Sequence, residues 1–203
     1  MQKLAVLISG SGSNLGAIIR AEEEGTLTHG RPVLVISNRE SAYGLVRAAE
    51  AGIDRLVIKK KDYSDGAAYE QALIEAIDGH SCDLVILAGF LDILGETFTG
   101  HYKDRILNIH PSLIPAFAGP GFYGLKVHRA AIEAGVKLSG ATVHLVNEVC
   151  DGGKILAQEA VPVLEGDTAE SLQKRILEEV EHSLYPRVIE AYCQKLEREA
   201  VCE

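Results

Sequence analysis

Short strand-like segments alternate with helical segments in the first half of the chain, and this alternation restricts the possible folds. Residues 4–8, 33–36, 54–58 and 84–88 predict strands, and the two runs at 4–8 and 84–88 are continuously apolar. Uninterrupted apolar runs of this length are typical of strands buried on both faces of a sheet. Because helical patterns and short connections separate the strands, the sequence predicts an α/β, doubly wound, mostly parallel sheet with a Rossmann-like N-terminal half.

A glycine- and serine-rich loop joins the first predicted strand to the first predicted helix. Its residues are Gly10, Ser11, Gly12, Ser13 and Asn14. A strand, glycine loop and helix in this order present backbone N–H groups and a positive helix end to a phosphate. The dinucleotide fingerprint is incomplete, because Leu15 takes its third glycine position and the second strand lacks a well-placed acid. We therefore predict a site for a single phosphate, with a tight turn that binds no ligand as the alternative.

A polar pair marks the end of a later predicted strand. Asn108 and His110 follow the apolar residues Ile106 and Leu107, and alternation by two places their side chains on one face. Pro111 has no backbone N–H and should end the strand. An amide donor beside an imidazole suits a reaction that forms an oxyanion and moves a proton. The alternative is a structural histidine beside a strand-end asparagine.

Three predicted loops meet at one edge of the sheet. The glycine loop, the loop that begins at Gly89 and the Asn108/His110 pair all follow the carboxyl ends of predicted strands. Ligands of doubly wound sheets bind outside these ends, near the point where the strand order reverses. This convergence favours a functional site.

The pattern changes after His110. Residues 111–124 form a long loop rich in Pro and Gly, which is typical of a functional loop. Residues 126–134 predict a helix, and residues 141–146 and 155–163 predict an antiparallel hairpin closed by Asp151-Gly152-Gly153.

A long C-terminal helix completes the prediction. Asp167 and Glu170 suggest an N-cap and N3 position, and apolar residues recur every four positions from Leu172. Pro186 should kink or break this helix, and the charged tail after Cys193 should fray.

Composition narrows the class of protein. A length of 203 residues fits one domain, and a net charge of -9 argues against general nucleic-acid binding. No segment reaches the roughly 18 apolar residues that span a membrane, and the N-terminus lacks the pattern of a signal peptide.

The basic cluster Lys59-Lys60-Lys61 predicts a solvated strand end. No two of the four cysteines form a CxxC pair, so we expect free thiols, a cytoplasmic location and no zinc site; they are Cys82, Cys150, Cys193 and Cys202.

Several motifs carry a resemblance to one enzyme family over essentially the whole chain. They are ISGSGSNL (8–15), LAGF (87–90), NIHPSLIP (108–115), GATVH (140–144), DGG (151–153), EH (181–182) and YP (185–186). The chain resembles the phosphoribosylglycinamide formyltransferases, which belong to the folate-dependent formyltransferases. The NxHPSL run with a later DGG identifies the wider group, and the N-terminal glycine loop separates this family from its other members.

The resemblance implies an activity. It implies the transfer of a formyl group from 10-formyltetrahydrofolate to the amine of glycinamide ribonucleotide, a step of purine synthesis. It also implies a single formyltransferase-fold domain over residues 1–203, with a phosphate-binding lobe (1–100) and a catalytic, folate-binding lobe (101–203). We expect the two small-molecule substrates as partners, no metal, no nucleic acid, no membrane, and a monomer or homodimer.

The resemblance further implies roles for individual residues. Asn108 would donate to the oxyanion, His110 would assist it, and Asp151 would orient His110 or relay the amine proton through water. The ribonucleotide would meet Gly10, Ser11, Gly12, Ser13, Asn14 and Glu181. The folate would meet Phe90, Leu91, Asp92, Ile93, Leu94, Asn108, Thr142 and His144. A surface position for Glu181, a turn-forming role for Asp151 and a core position for His144 are the alternatives.

Two residues depart from the family pattern. Asp92 replaces an arginine that many members carry near the folate, which puts recognition of the folate's carboxylate tail in question. Glu178 stands where a basic or amide residue often helps to hold phosphate, so it would either weaken phosphate binding or point away.

Other functions make different demands on the sequence. A methionyl-tRNA formyltransferase should add a C-terminal nucleic-acid-binding domain and a basic surface. A formyltetrahydrofolate hydrolase usually carries an N-terminal regulatory domain, for which the glycine loop at residue 10 leaves no room. A non-catalytic nucleotide-binding module would not need Asn108, His110 and Asp151 together.

Overall fold

The computed structural model describes residues 1–201 and contains a seven-stranded sheet with helices on both faces. The strands are β1 (Gln2–Ile8), β2 (Gly30–Ser37), β3 (Asp54–Val57), β4 (Leu84–Leu87), β5 (Ile106–His110), β6 (Leu138–Leu145) and β7 (Ile155–Pro162). The helices are α1 (Ser13–Glu23), α2 (Gly44–Glu50), α3 (Gly66–Gly79), α4 (Glu96–His101), α5 (Leu125–Glu133), α6 (Ala169–Ile176) and α7 (His182–Val201). A 3-10 turn (Lys60–Asp62) precedes α3, and a π-helical segment (Leu177–Glu181) joins α6 to α7.

The strand order confirms the predicted architecture. The order is β3-β2-β1-β4-β5-β6-β7, and the pairs from β3 to β5 are parallel. The pairs β5/β6 and β6/β7 are antiparallel, as expected for the C-terminal hairpin. The order reverses direction between β1 and β4, so the loops after these strands diverge and leave a crevice. The division into two lobes stays a prediction.

The two faces of the sheet form two apolar cores. Along β1, Leu4, Val6 and Ile8 pack into one core, and Ala5 and Leu7 pack into the other. All five side chains are fully buried. Because alternate residues of β1 point into opposite cores, every residue from Leu4 to Ile8 has to be apolar.

A buried tyrosine attaches α7 to the sheet. The Tyr185 hydroxyl lies 3.0 Å from the carbonyl oxygen of Leu87 and 2.9 Å from that of Leu107. Burial raises the pKa of this phenol, so it remains a donor to these carbonyls. The contact holds α7 against the ends of β4 and β5.

The start of α6 differs from the sequence prediction by one residue. Thr168 is the N-cap and forms a capping box with Ser171, whereas Asp167 and Glu170 were expected in these positions. The Asp167 carboxylate instead binds Arg175 at 2.6 and 2.7 Å and accepts the Leu164 N–H. The Arg175 guanidinium lowers the Asp167 pKa below its usual value. The ion pair thus takes the carboxylate that would otherwise cap the helix.

The predicted break at Pro186 was wrong, and so was the predicted fraying of the tail as far as Val201, whereas a kink at Pro186 stays a prediction. Pro186 lies inside α7, and the irregular segment is the π helix Leu177–Glu181, which ends five residues before it. Helix α7 continues beyond Cys193 as far as Val201, while Cys202 lies outside the described residues. The six-residue helix α4 was not predicted, because it is too short to show a helical period.

Candidate active site

A cavity of about 510 Å³ lies at the carboxyl ends of β1, β4 and β5. The glycine loop, residues 87–94, the end of β5 and the turn around Asp151 all contribute to its lining. Residues 119–124 of the long loop also line it, as do Gln173, Leu177 and Glu181 from the α6–α7 region. The predicted convergence of loops therefore produces one site.

Asn108 and His144 face each other across the antiparallel pair β5/β6. The Asn108 Nδ2 lies 3.0 Å from the His144 Nε2, and the His144 Nδ1 lies 2.8 Å from the Leu145 carbonyl oxygen. Since Nδ1 faces a carbonyl, it carries the proton, and Nε2 accepts from the amide. Burial lowers the pKa of His144, which favours this neutral ring. The second hydrogen of Nδ2 remains free for a ligand in the cavity.

His110 lies between a backbone carbonyl and the Asp151 carboxylate. Its Nε2 is 2.9 Å from the Phe117 carbonyl oxygen, and its Nδ1 is 3.6 Å from the Asp151 Oδ2. Both ring nitrogens thus face oxygen atoms, and of the two contacts only the one to Phe117 is within hydrogen-bond distance. The side chains of His110 and Asp151 are only 6% and 11% exposed, so water screens their attraction weakly.

The backbone of the DGG turn brings Asp151 into the site. Asp151 has a φ of 54°, a left-handed conformation that Asp and Asn tolerate better than most residues. A side chain at Gly153 would come within 1.8 Å of the Leu145 carbonyl oxygen, so only glycine fits there. The Gly119 N–H donates to the Asp151 Oδ2 at 2.8 Å and fixes the carboxylate from the opposite side.

The glycine loop presents the start of α1 to the cavity. Gly12 adopts a φ of 65°, and a side chain there would come within 2.6 Å of the Gly44 Cα in α2. Helix α1 has no side-chain cap at its N-terminus, so its first N–H groups remain available to an anion. Close packing against Gly44 therefore requires glycine at position 12, and the uncapped N–H groups at the start of α1 have a geometry that suits a phosphate.

Asn14 forms a contact that the sequence prediction did not include. Its Nδ2 donates one hydrogen to the Glu181 Oε2 at 2.7 Å. Burial raises the pKa of Glu181, and the Asn14 hydrogen bond lowers it by a smaller amount. The Asn14 Oδ1 is buried without a partner among the described residues. Two neighbouring acceptors at this point suit an amine or hydroxyl of a ligand.

Comparisons with known proteins place the chain in a family. A family profile described as "Formyl transferase" matches residues 2–189. The chain belongs to the formyl transferase family. A glycinamide ribonucleotide transformylase 1 structure from Symbiobacterium toebii superposes with a TM-score of 0.90 and 46% identity, covering 96% of this chain and 89% of that one.

Curated relatives of this formyl transferase differ in length. It is 42% identical to phosphoribosylglycinamide formyltransferase of Escherichia coli K12 over 186 residues, 92% of this chain and 84% of the relative. It is 43% identical to the chloroplastic phosphoribosylglycinamide formyltransferase of Arabidopsis thaliana over 196 residues, 96% of this chain but only 66% of the relative. It spans 18% of a trifunctional purine biosynthetic protein of Bos taurus.

The segment of the formyl transferase that was predicted to hold folate lines the apolar side of the cavity. Its residues are Phe90, Leu91, Asp92, Ile93 and Leu94. The Asp92 Oδ2 accepts a hydrogen bond from the Tyr69 hydroxyl at 2.8 Å. Leu91 and Ile93 are exposed at the rim, whereas Leu94 is buried below it.

Thr142 does not line the cavity of the formyl transferase, although a folate contact was expected. Its hydroxyl donates to the Ser112 carbonyl oxygen at 2.6 Å and accepts the Ile114 N–H at 3.0 Å. Thr142 therefore anchors the start of the long loop, in which Phe117 contacts His110 and Gly119 contacts Asp151. The position of Thr142 in the strand predicted the face of the sheet on which its side chain lies. It did not predict that the long loop would cover this side chain.

Glu178 points away from this cavity. Its Oε1 lies 4.0 Å from the Lys174 Nζ, its side chain is 57% exposed, and it lines a separate groove with α1. Of the two alternatives for Glu178, the structure shows the one in which this side chain points away from the cavity.

His128 was missed by the sequence analysis, because a lone histidine in a helix gives no distinctive signal. It lines the cavity, is 1% exposed, and has no hydrogen-bond partner for either ring nitrogen among the described residues. Burial, together with the charge of His110, lowers its pKa to about 4. A histidine with a lowered pKa is thus buried beside His110.

We expect His128 to make the protein sensitive to acid. Below an unfolded pKa of about 6.5, the unfolded chain binds a proton that the folded state does not, so stability falls as pH falls from 6.5 towards 4. From pH 7 to pH 5 this group should cost about 2 kcal/mol. Denaturant unfolding at both pH values should show a smaller loss in His128→Phe. An equal loss in His128→Phe and in the control His101→Phe, at an exposed histidine, would contradict this expectation.

Three further features of residues 1–201 concern membrane-spanning helices, metal sites and disulfides. No helix in residues 1–201 is long and apolar enough to cross a membrane. The same residues contain no group of three or more His, Cys, Asp or Glu side chains arranged to hold a metal ion. Cys82, Cys150 and Cys193 are free thiols.

Proposed function

We propose that this formyl transferase moves a formyl group from 10-formyltetrahydrofolate to the primary amine of glycinamide ribonucleotide, in the cytoplasm, as a step of purine synthesis. The observation that supports the proposal best is the meeting of Asn108, His110 and Asp151 in one cavity that also contains an uncapped helix N-terminus. The names of relatives that this chain covers well, such as the Haemophilus influenzae enzyme (88% of its length), support the same substrates.

The cavity has two sides that match the two substrates. On one side lie the glycine loop, Gln173 and Glu181, which suit a phosphate and an amine. On the other side lie the apolar residues Phe90, Leu94 and Val146, which suit a flat heteroaromatic ring. Asn108 and His110 project from the strand end that separates the two sides, where the amine would meet the formyl group.

The reaction is an acyl transfer between two nitrogens. The amine nitrogen attacks the formyl carbon, the new C–N bond forms, and the carbonyl electron pair moves to the oxygen. The free Nδ2 hydrogen of Asn108 donates to this oxyanion, and His110, beside Asp151, assists it. Collapse of the intermediate breaks the bond from the formyl carbon to N10 of the folate. The amine nitrogen loses one proton, N10 gains one, and tetrahydrofolate leaves.

Asp151 supplies the negative charge that this scheme needs. Its Oδ2 faces His110 Nδ1, and its Oδ1 lies 3.7 Å from His144 Nε2. A carboxylate at this position stabilises the cationic form of His110 and can receive the amine proton through a bridging water. Its fixed orientation, set by the Gly119 N–H, requires no rearrangement during the reaction.

A single assay tests the proposed function. We expect tetrahydrofolate to form from 10-formyltetrahydrofolate only when glycinamide ribonucleotide is present, with formylglycinamide ribonucleotide as the second product. Release of formate without the ribonucleotide would instead identify a hydrolase. Binding of the ribonucleotide with no turnover of the folate would identify a non-catalytic nucleotide-binding module.

We predict that Glu181→Gln weakens binding of the ribonucleotide. A charge-assisted hydrogen bond contributes about 1.5–3 kcal/mol, so KM for the ribonucleotide should rise about tenfold or more. KM for the folate should stay within about twofold, because Glu181 lies on the other side of the cavity. The matched control is Glu178→Gln, which removes an exposed charge one helical turn earlier. Equal KM values in the two variants would show that Glu181 does not contact the ribonucleotide.

A further inference from the structure

The charged side chains that line the cavity are all of one sign, histidines aside. Its lining includes the carboxylates of Asp92, Glu148, Asp151 and Glu181, and no Lys or Arg among the described residues. Asp151 and Glu181 lie in the interior, whereas Asp92 is half-buried and Glu148 is exposed. The mouth of the site on the folate side therefore carries two negative charges.

Asp92 is held rigidly at this mouth. The Leu91 N–H donates to the Ser9 hydroxyl at 2.9 Å, and the Gly95 N–H donates to the Glu70 carboxylate at 2.7 Å. Between these anchors the hydroxyl of Tyr69, a buried residue, donates to the Asp92 carboxylate. A carboxylate fixed in this way cannot rotate away from a ligand at low cost.

Under the proposed function, the tail of a bound folate passes this residue. N10 must lie beside Asn108 for formyl transfer, and the pterin on one side of N10 fits the buried apolar wall. The aminobenzoyl ring and its glutamyl tail then extend towards solvent, where Leu91 and Ile93 are 45% and 64% exposed. These two side chains flank Asp92, so the tail carboxylates approach its negative charge.

On the basis of the proposed function, we infer that Asp92 is a specificity-determining residue that disfavours folates with many tail carboxylates. Two like charges about 6 Å apart in water weaken binding about threefold, and salt reduces this effect. The site therefore binds a folate without glutamate at least as tightly as one with a glutamyl tail, and added glutamates bring no gain.

Two lysines near Tyr69, Lys60 and Lys61, provide an opposite charge that could instead attract a glutamyl tail. The Tyr69 ring packs against Tyr63 at 5.9 Å, and the turn Lys60–Asp62 precedes Tyr63 in the chain. Lys59 is paired with Glu40 and Asp62, which leaves Lys60 and Lys61 as exposed charges on this turn. A glutamyl tail long enough to reach these lysines would bind more tightly as glutamates are added.

Equilibrium binding of three ligands tests the inference. The ligands are tetrahydropteroate, tetrahydrofolate with one glutamate, and its pentaglutamyl form, each titrated at low salt. We expect Kd of the wild-type protein to rise about threefold with the first glutamate and not to fall with the next four. Asp92→Asn should remove the rise, and Asp92→Arg should tighten the pentaglutamyl form about tenfold. Higher salt should tighten its binding to the wild type.

Control variants separate the possible outcomes. Glu96→Gln removes an exposed charge outside the cavity lining and should leave the three Kd values in the wild-type order. Tighter binding of the pentaglutamyl form by the wild type, abolished in a Lys60→Gln, Lys61→Gln variant, would overturn the inference. An Asp92→Asn protein with unchanged Kd ratios would also overturn it. If none of the three ligands binds, the proposed function itself fails.

Discussion

Asp151→Asn should lower kcat about a thousandfold while the protein stays folded. Asn tolerates the left-handed backbone at this position, and its amide oxygen can still accept the Gly119 N–H. The substitution thus removes the charge that faces His110 and His144 with minimal change in shape. Steady-state kinetics at saturating substrates gives kcat, and thermal unfolding monitors the fold.

A second aspartate provides a matched control for this variant. Asp104 also has a positive φ, of 58°, and lies outside the cavity lining. Asp104→Asn makes the same chemical change on the same backbone conformation, and its kcat should stay within about twofold of the wild type. A kcat for Asp151→Asn within tenfold of the wild type would remove Asp151 from the proposed mechanism.

Asn108→Ala should lower kcat by at least a hundredfold and leave both KM values nearly unchanged. Loss of one oxyanion donor costs about 2.7–4 kcal/mol in comparable sites. Because the oxyanion exists only in the transition state and the intermediate, the loss should affect kcat rather than substrate binding. The variant also leaves the His144 Nε2 without its amide donor, which should cost about 1–3 kcal/mol of stability. Kinetics should therefore be measured well below the unfolding temperature.

The control for Asn108 is another asparagine at the end of a parallel strand. Asn38 directly follows β2 and does not line the cavity. Asn38→Ala should leave kcat within about twofold of the wild type. If Asn108→Ala retained near-wild-type turnover, the oxyanion would have to be stabilised by other groups, and the proposed role of Asn108 would be wrong.

Local patterns in the sequence predicted the main architecture. Continuous apolar runs such as residues 4–8 predicted strands covered on both faces, and the two cores bear this out. Alternation along β5 correctly placed Asn108 and His110 on one face, because side-chain direction in a strand follows from position alone. The family resemblance, borne out by the profile match over residues 2–189, added the expected partner Asp151.

Predictions that depended on competition between neighbouring groups were less accurate. Asp is a residue type that is favoured at N-cap positions, so Asp167 was expected to cap α6. Arg175, eight residues later, binds its carboxylate instead, and Thr168 caps the helix. Thr142 has the right face for a folate contact, but the long loop covers it and uses its hydroxyl. In both cases the fold decides which partner lies within hydrogen-bond distance of the polar side chain.

The sequence by itself determined the sheet, the loops at its carboxyl edge and the side chains that those loops offer. Only the tertiary structure decided how these side chains pair. Asn14 meets Glu181 across 167 positions, Tyr69 donates to Asp92, and His128 lies buried with no hydrogen-bond partner within residues 1–201. Periodicity and turn chemistry act over a few residues and can be read along the chain. A hydrogen bond between distant residues, or its absence, is set by how whole helices and loops pack, to within a few tenths of an ångström.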